Sequence, residues 1–425
     1  MDKPPRGFNA PYSLRPILFA TCFHDTLMIA MKRLKIGQFS ETFPPFADGV
    51  GYVVKNYAQQ LIQRGHKVTA VVSGSSIAEG AAYDADHHID YTIRAPMLPF
   101  PKVKPYGPVM MNPQFRLQVR SCEFDLIHTH APFFLAQLAE KAKRRSSVPL
   151  ISTFHTLYRD DFYGFTRSDV ISDLLVKNII SHYQNCDEVW TTTPFAAGKL
   201  HSYGYQGEIT IMPNGCDFAL PSSEEELSYR QKGLHFLQHN DAIPIIIYVG
   251  QLKAEKNIEL IIRALAHLKA QKTKFRMVFV GTGADEHYYK KLSQELGLES
   301  HITFTGKIGD REKLKELLSA ATLFVFPSQY DTSPLVMQEA AAFSLPLLNT
   351  ANSSTALMTK EGFNGFISEN NVDAYALKLQ QLLNNRELCA HVGRNARSSL
   401  YRSWDQVLDE VELRYHTLVD KRKRP

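Results

Sequence analysis

Asp331 and Glu339 stand eight residues apart in the segment Phe-Pro-Ser-Gln-Tyr-Asp-Thr-Ser-Pro-Leu-Val-Met-Gln-Glu-Ala-Ala-Ala-Phe-Ser-Leu-Pro, residues 326–346. An apolar, strand-like run at 321–325 precedes it, and a helix opens within it. Eight residues is a little over two helical turns, so a carboxylate in the loop and one inside the helix can face one cleft. At that helix start the N–H groups of Thr332, Ser333, Leu335 and Val336 lack intrahelical partners and favour an anion. Carboxylates that accept from hydroxyls, beside amides that donate to phosphate, describe a site for a phosphorylated sugar. The bland alternative is an αβ unit whose two acids are merely solvated.

The segment also resembles the acidic signature (an acid, seven residues, Glu) of the retaining nucleotide-sugar glycosyltransferases with the GT-B fold, in particular glycosyltransferase family 4. Pro327-Ser328, Asp331, Leu335-Val336, Glu339-Ala340 and Pro346 fall where that pattern puts them. The first acid is Asp where Glu is commoner, which shortens its reach by one methylene. Val249-Gly250-Gln251-Leu252-Lys253-Ala254-Glu255-Lys256-Asn257 resembles the family's Gly-Arg…Glu-Lys motif, whose cations neutralise a pyrophosphate leaving group. Lys256 matches the Lys, but Gln251 stands where Arg is usual. A neutral amide stabilises departing charge less than a cation does, because charge-assisted hydrogen bonds are roughly twice as strong as neutral ones. Lys253 is the candidate to compensate.

Other positions carry the resemblance more lightly. His155, just past a strand in Ile-Ser-Thr-Phe-His-Thr-Leu-Tyr, matches a histidine placed near the transferring sugar. Its use is to hydrogen bond a sugar hydroxyl or orient the acceptor. His128 and His130 follow a different strand and read as loop or core residues. Gly281-Thr282-Gly283 resembles a glycine turn that lets a nucleotide approach the sheet. Gly306-Lys307-Ile308 falls where backbone atoms of the family bind the base. Asp48-Gly49-Val50-Gly51 lies where the donor phosphate and acceptor meet, though its spacing is not that of a dinucleotide fingerprint.

These residues need two α/β frames to hold them. Apolar strands alternate with amphipathic helices twice over. In the first half strands are expected at 34–39, 67–73, 125–129, 149–153, 189–192 and 209–212, with a helix at 51–63. A turn at Pro213-Asn214-Gly215 and an acidic stretch around Glu224–Glu226 read as a connection. The second half restarts at 243–249, with a helix at 255–270 and strands at 276–280 and 302–305. Two parallel sheets leave a cleft at their carboxyl ends, where ligands bind in open α/β sheets. The expected division is an extension outside the fold (1–30), an acceptor-binding Rossmann-like domain (31–215), a linker (216–240), a nucleotide-sugar-binding Rossmann-like domain (241–400), and a crossover helix with a basic tail (401–425). In the resembling family the last helix crosses back to the first domain.

Composition bounds the partners. A chain of 425 residues with 44% hydrophobic and 21% charged residues is that of a globular protein with large cores. Its net charge of +5 is too mild to imply nucleic acid. Five scattered cysteines lack metal-ligand or CxxC spacing and read as reduced thiols of a cytosolic protein. Residues 101–150 hold eight Lys or Arg against three acids, next to apolar loops at 95–101 and 106–111. Basic and apolar residues mixed in this way suit an anionic membrane surface, whereas a solvated charge run beside a buried loop is the alternative. The apolar stretch 16–31 is broken by His24 and Asp25 and is too short to span a membrane. Asp84-Ala85-Asp86, followed by two histidines, has the look of a metal motif but lies far from the donor residues and reads as solvated.

The resemblance therefore implies a GT-B enzyme that needs no metal or other cofactor and binds a nucleotide sugar. Glu339 holds the ribose, Asp331 the sugar and Lys256 the pyrophosphate, and transfer retains the anomeric configuration. The opening Glu41-Thr-Phe-Pro-Pro-Phe-Ala-Asp-Gly-Val-Gly and the basic, apolar patch are similar to the bacterial diacylglycerol glucosyltransferases. That similarity implies UDP-glucose as donor, diacylglycerol as acceptor, and a cytoplasmic enzyme lying on the inner face of the cell membrane. A saccharide or glycoprotein acceptor, a nucleotide-sugar 2-epimerase and a non-catalytic homologue are the alternatives.

Overall fold

Short apolar runs fold into two parallel sheets, each flanked by helices, in a computed structural model that describes residues 32–45, 49–73, 76–95, 113–239, 242–329, 331–332 and 334–423. The expected extension, Asp48, Ser333 and the apolar loops at 96–112 lie outside the described residues. The described residues from Leu34 onward pack as one compact unit.

The first half begins β1 (Lys35–Ser40), α1 (Gly49–Gln63), β2 (Lys67–Val72), α2 (Ile77–Asp86), β3 (Thr92–Arg94) and α3 (Pro113–Ser121). It continues β4 (Leu126–Thr129), α4 (Phe134–Ser146), β5 (Leu150–Phe154), α5 (Tyr158–Thr166) and α6 (Asp169–Gln184). It closes with β6 (Glu188–Thr191), α7 (Pro194–Ser202) and β7 (Ile209–Ile211). The strands lie in the order β3-β2-β1-β4-β5-β6-β7, all parallel. After α8 (Ser223–Phe236), the second half runs β8 (Ile245–Val249), α9 (Ile258–Ala270), β9 (Arg276–Val280), α10 (Glu286–Glu295), β10 (Ile302–Phe304) and α11 (Arg311–Ala320). It ends β11 (Leu323–Val325), α12 (Leu335–Ala342), β12 (Leu347–Thr350), β13 (Gly365–Ser368), α13 (Val372–Leu383), α14 (Arg386–Leu400) and α15 (Trp404–Lys423). Its sheet has the order β10-β9-β8-β11-β12-β13. In both sheets the order reverses beside the first strand, and that reversal opens a crevice for ligands.

The sequence explains these elements. All five residues of β8, Ile-Ile-Ile-Tyr-Val, are buried, as a parallel strand covered on both faces requires. Helix α9 turns Ile258, Ile261, Ile262, Leu265 and Leu268 onto that sheet. The expected linker, 216–240, carries a helix of its own, α8. Ser222 and Glu225 form a capping box that starts α8, and α8 packs on α11. Tyr229 Oη donates to Glu312 at 2.9 Å, and Gly233 lies where a Cβ would strike the Glu316 carbonyl.

The last helix belongs to the first half, as the resemblance implies. Trp404, Val407, Leu408, Val411, Tyr415, Leu418 and Val419 of α15 share one core cluster with Leu34, Ile36, Val53, Tyr57 and Leu61. Arg64 forks onto Asp409 and Glu412, each at 2.7 Å, and fixes the same contact from the rim. The two crossings between halves run side by side, with Cys216 paired to Ser403.

Candidate active site

Lys256 is delivered by the loop after β8. A short 3₁₀ turn at Ala254–Lys256 ends on Asn257, whose φ of 57° is left-handed, and α9 starts there. Asp331 is delivered by the loop after β11. The two meet: Lys256 Nζ donates to both Asp331 oxygens, at 2.7 and 2.8 Å. Each side chain is about one-fifth exposed. Residues 75 apart in sequence thus form a half-buried pair at the carboxyl edge of the second sheet. A diphosphate can take the ammonium, and a sugar hydroxyl can donate to the carboxylate, without moving either backbone.

Glu339 lies inside α12 and is buried. Burial pushes its carboxyl above the usual range, while the Arg311 guanidinium pulls it back. Arg311 Nη2 donates to Glu339 Oε1 at 2.7 Å, and its guanidinium lies 4.2 Å from the Phe218 ring centroid. Asp217 stands 3.8 Å from the same guanidinium and accepts from Trp404 Nε1 at 2.7 Å and Asn56 Nδ2 at 2.6 Å. Asp331 and Glu339 therefore each have their own cation. Arg311 has no sequence signal beyond a helix start after Asp310.

The remaining residues expected on the donor side, Gly49 apart, follow strands of the same sheet. Gly281 N–H donates to the Gly306 carbonyl at 2.9 Å, joining the loops after β9 and β10. Gly281 has a φ of 135°, and a Cβ there would strike the Gly250 carbonyl. A Cβ at Gly283 would strike the Leu252 carbonyl. These glycines let one loop close on the Gly250–Leu252 backbone. Gln251 is exposed and offers its carbonyl to Tyr248 Oη at 3.0 Å. Lys253 leans toward Glu255 at 3.9 Å rather than toward the Lys256–Asp331 pair. Lys307 is exposed. Leu335 and Val336 open α12, so their amides lack intrahelical partners. Gly49 begins α1, where a Cβ would meet nothing within 4 Å.

The first half contributes His155, buried just past β5. Thr332 Oγ1 donates to the His155 carbonyl at 2.7 Å, and Thr193 Oγ1 donates to the Thr332 carbonyl at 3.1 Å. The loop carrying Asp331 thus touches the ends of β5 and β6. His128 and His130 are core residues, as read, but His130 is also the direct partner of His155, at 3.1 Å between Nδ1 and Nε2. Register decides that contact: β4 lies beside β5 with Thr129 opposite Ser152.

One expectation needs correction. Asp84 is not solvated, because Arg94 clasps both its oxygens at 2.7 Å and Thr92 Oγ1 donates to it. The basic run is partly neutralised, with Lys143 held by Asp187 at 2.9 Å and Arg144 beside Glu140 at 3.6 Å. Among the described residues no helix is long and apolar enough to cross a membrane.

Residues 47–220 match the family described as Glycosyltransferase Family 4, and residues 234–399 match Glycosyl transferases group 1. The chain belongs to glycosyltransferase family 4. Among curated relatives of this glycosyltransferase is an alpha-monoglucosyldiacylglycerol synthase of Streptococcus pneumoniae, 24% identical over 75% of this chain and 71% of that protein. Another of that name, from Acholeplasma laidlawii, is 23% identical over 92% of this chain and 99% of that protein. The crystal structure of Anabaena HepE in complex with UDP and glucose superposes with a TM-score of 0.70, at 18% identity, over 91% of this chain and 100% of that one. That likeness establishes the GT-B fold.

Proposed function

We propose that this glycosyltransferase moves glucose from UDP-glucose to diacylglycerol, with retention at the anomeric carbon. The observation that carries the donor half is the Lys256–Asp331 pair beside the buried Glu339. Lys256 and the amides of Thr332, Ser333, Leu335 and Val336 meet the diphosphate, Asp331 the sugar hydroxyls and Glu339 the ribose. Gly281, Gly283, Gln251, Lys253 and Lys307 line the approach of the nucleotide, and Gly49 with His155 close the first-half side. Lys256 supplies the positive charge on the leaving diphosphate, so the reaction needs no metal. The acceptor oxygen attacks the anomeric carbon on the face from which UDP leaves, and its proton passes to the departing phosphate oxygen. The second half (241–400) holds the donor, and the first (31–215) receives the acceptor.

For the lipid acceptor, support comes from the two glucosyldiacylglycerol synthases among the relatives and from cations on the solvent face of α3. The protein works in the cytoplasm, peripheral to the inner face of an anionic membrane. The test is radiolabelled UDP-glucose with vesicles of diacylglycerol and anionic lipid. Label in the organic phase supports this reading. Label remaining in water with the donor intact removes both donor and acceptor assignments.

A further inference from the structure

Arg311 stands between two carboxylates. Glu339 is buried within α12, and its one hydrogen bond among the described residues comes from Arg311 Nη2, to Oε1 at 2.7 Å. The same nitrogen lies 3.8 Å from Asp217 Oδ2. Asp217 Oδ1 is already occupied, by Trp404 Nε1 at 2.7 Å and Asn56 Nδ2 at 2.6 Å. The guanidinium also lies 4.2 Å from the Phe218 ring centroid. Two carboxylates and one ring thus fix how Arg311 meets Glu339, although the arginine side chain itself reaches solvent.

A carboxylate accepts on both oxygens, whereas a protonated carboxyl donates from one of them. Two neighbouring hydroxyls that both donate therefore need the ionised form. Burial disfavours that form at Glu339, and the negative charge of Asp217 adds to the effect. Arg311 opposes both, through its charge and its hydrogen bond. The connection 213–222 brings the buried Cys216 thiol close to Glu339 as well as Asp217. On α12 itself the neighbouring Gln338 is uncharged and turned to the Asn214 carbonyl at 2.8 Å. Without Arg311 the remaining influences, burial and Asp217, both favour the protonated acid, which has one acceptor fewer for a diol.

We propose that Arg311 is a positioning residue which keeps Glu339 a carboxylate and fixes its Oε1, so that the site prefers a nucleotide with both ribose hydroxyls to one lacking the 2′-hydroxyl. The diol at Glu339 rests on the transferase reading above. The test is calorimetric titration of the full chain with UDP and with 2′-deoxy-UDP at pH 6 and pH 8. The phosphates titrate alike in the two ligands, so the ratio of their Kd values reports the hydroxyl alone. The parent is expected to prefer UDP by roughly tenfold or more at both pH values, as a hydrogen bond to a charged group allows. Arg311→Met is expected to reduce that preference to about threefold or less at pH 6 and to recover part of it at pH 8. Arg311→Lys keeps a cation and is expected to restore the preference at pH 6. A role in folding alone would weaken both ligands equally, so a parental ratio in Arg311→Met at pH 6 overturns the proposal. If Arg311→Met does not fold, Arg311→Gln removes the charge, keeps a polar side chain, and is judged by the same ratio. UDP bound by the parent without preference over 2′-deoxy-UDP overturns the proposal and leaves a nucleotide site standing. No binding of UDP at all overturns the donor reading and the proposal with it.

Discussion

At the scale of single residues the candidate site is built from paired charges. Lys256 and Asp331 neutralise one another, and each keeps enough exposure to exchange its partner for phosphate or hydroxyl. Lys256→Ala is expected to lower kcat by roughly 10²–10³, the usual loss when one stabilising donor is removed from developing charge. Steady-state kinetics check it, and a variant within about threefold of the parent places the leaving-group charge elsewhere. A second carboxyl, outside the donor site, sets a pH dependence of folding. Glu41 is buried past β1, takes the Leu135 N–H on Oε1 at 2.8 Å, and has no partner for Oε2 among the described residues. Burial raises it from 4.5 to about 7 against the pull of the Leu135 N–H. Its folded value lies above its unfolded one, so the native state binds more protons between these limits. This carboxyl's contribution to stability is therefore expected to be full below about pH 4.5 and to be lost, by roughly 3 kcal/mol, as pH rises through about 7. Glu41→Gln keeps an acceptor for Leu135 and is expected to abolish that fall, measured by urea unfolding at pH 5 and pH 8. Equal pH slopes in parent and variant count against a titrating Glu41.

At the scale of elements, loops at the carboxyl ends of strands do the positioning, and the glycines there are steric rather than flexible. Gly281→Ala adds a Cβ against the Gly250 carbonyl at a φ of 135°. It is expected to destabilise the second half by about 1–3 kcal/mol and to raise the donor KM through a shifted Lys256 loop. Thermal unfolding with donor titration reads both, and unchanged values would show that the two loops give way freely. How far such elements could be read in advance follows from their physics. The continuous run of β8 and the amphipathic α9 were legible, because burial on both faces or on one stripe leaves a periodic mark. The three half-buried residues of β3, at the edge of its sheet, leave none. Lys256 and Asp331 were legible through motif spacing. Arg311 beside Glu339, and His130 beside His155, were not. Those contacts depend on which helix end or neighbouring strand the fold brings alongside.

At the scale of the whole molecule, the question is where a chain of net charge +5 presents that charge. The basic run expected to face a membrane is sorted by the fold. Lys143 and Arg144 of α4 are turned toward Asp187 and Glu140, and Arg422 of α15 joins Asp187 at 3.1 Å. Helix α3 keeps Phe115 and Val119 buried and turns Arg116, Leu117 and Arg120 to solvent. Neither arginine has a partner among the described residues, and Leu117 is 64% exposed. An apolar side chain between two free cations is the arrangement an anionic bilayer attracts. Arg116→Ala/Arg120→Ala is expected to weaken partitioning onto anionic vesicles by roughly tenfold while leaving neutral vesicles unaffected. Because the attraction acts over about a Debye length, 0.5 M salt is expected to erase most of the difference between the two proteins. Sedimentation with vesicles at low and high salt measures both effects. If the double variant binds like its parent at low salt, α3 is not the contact and the lipid acceptor loses its surface argument. The proposed donor site, built on the other sheet from Lys256, Asp331 and Glu339, would stand unchanged by that result.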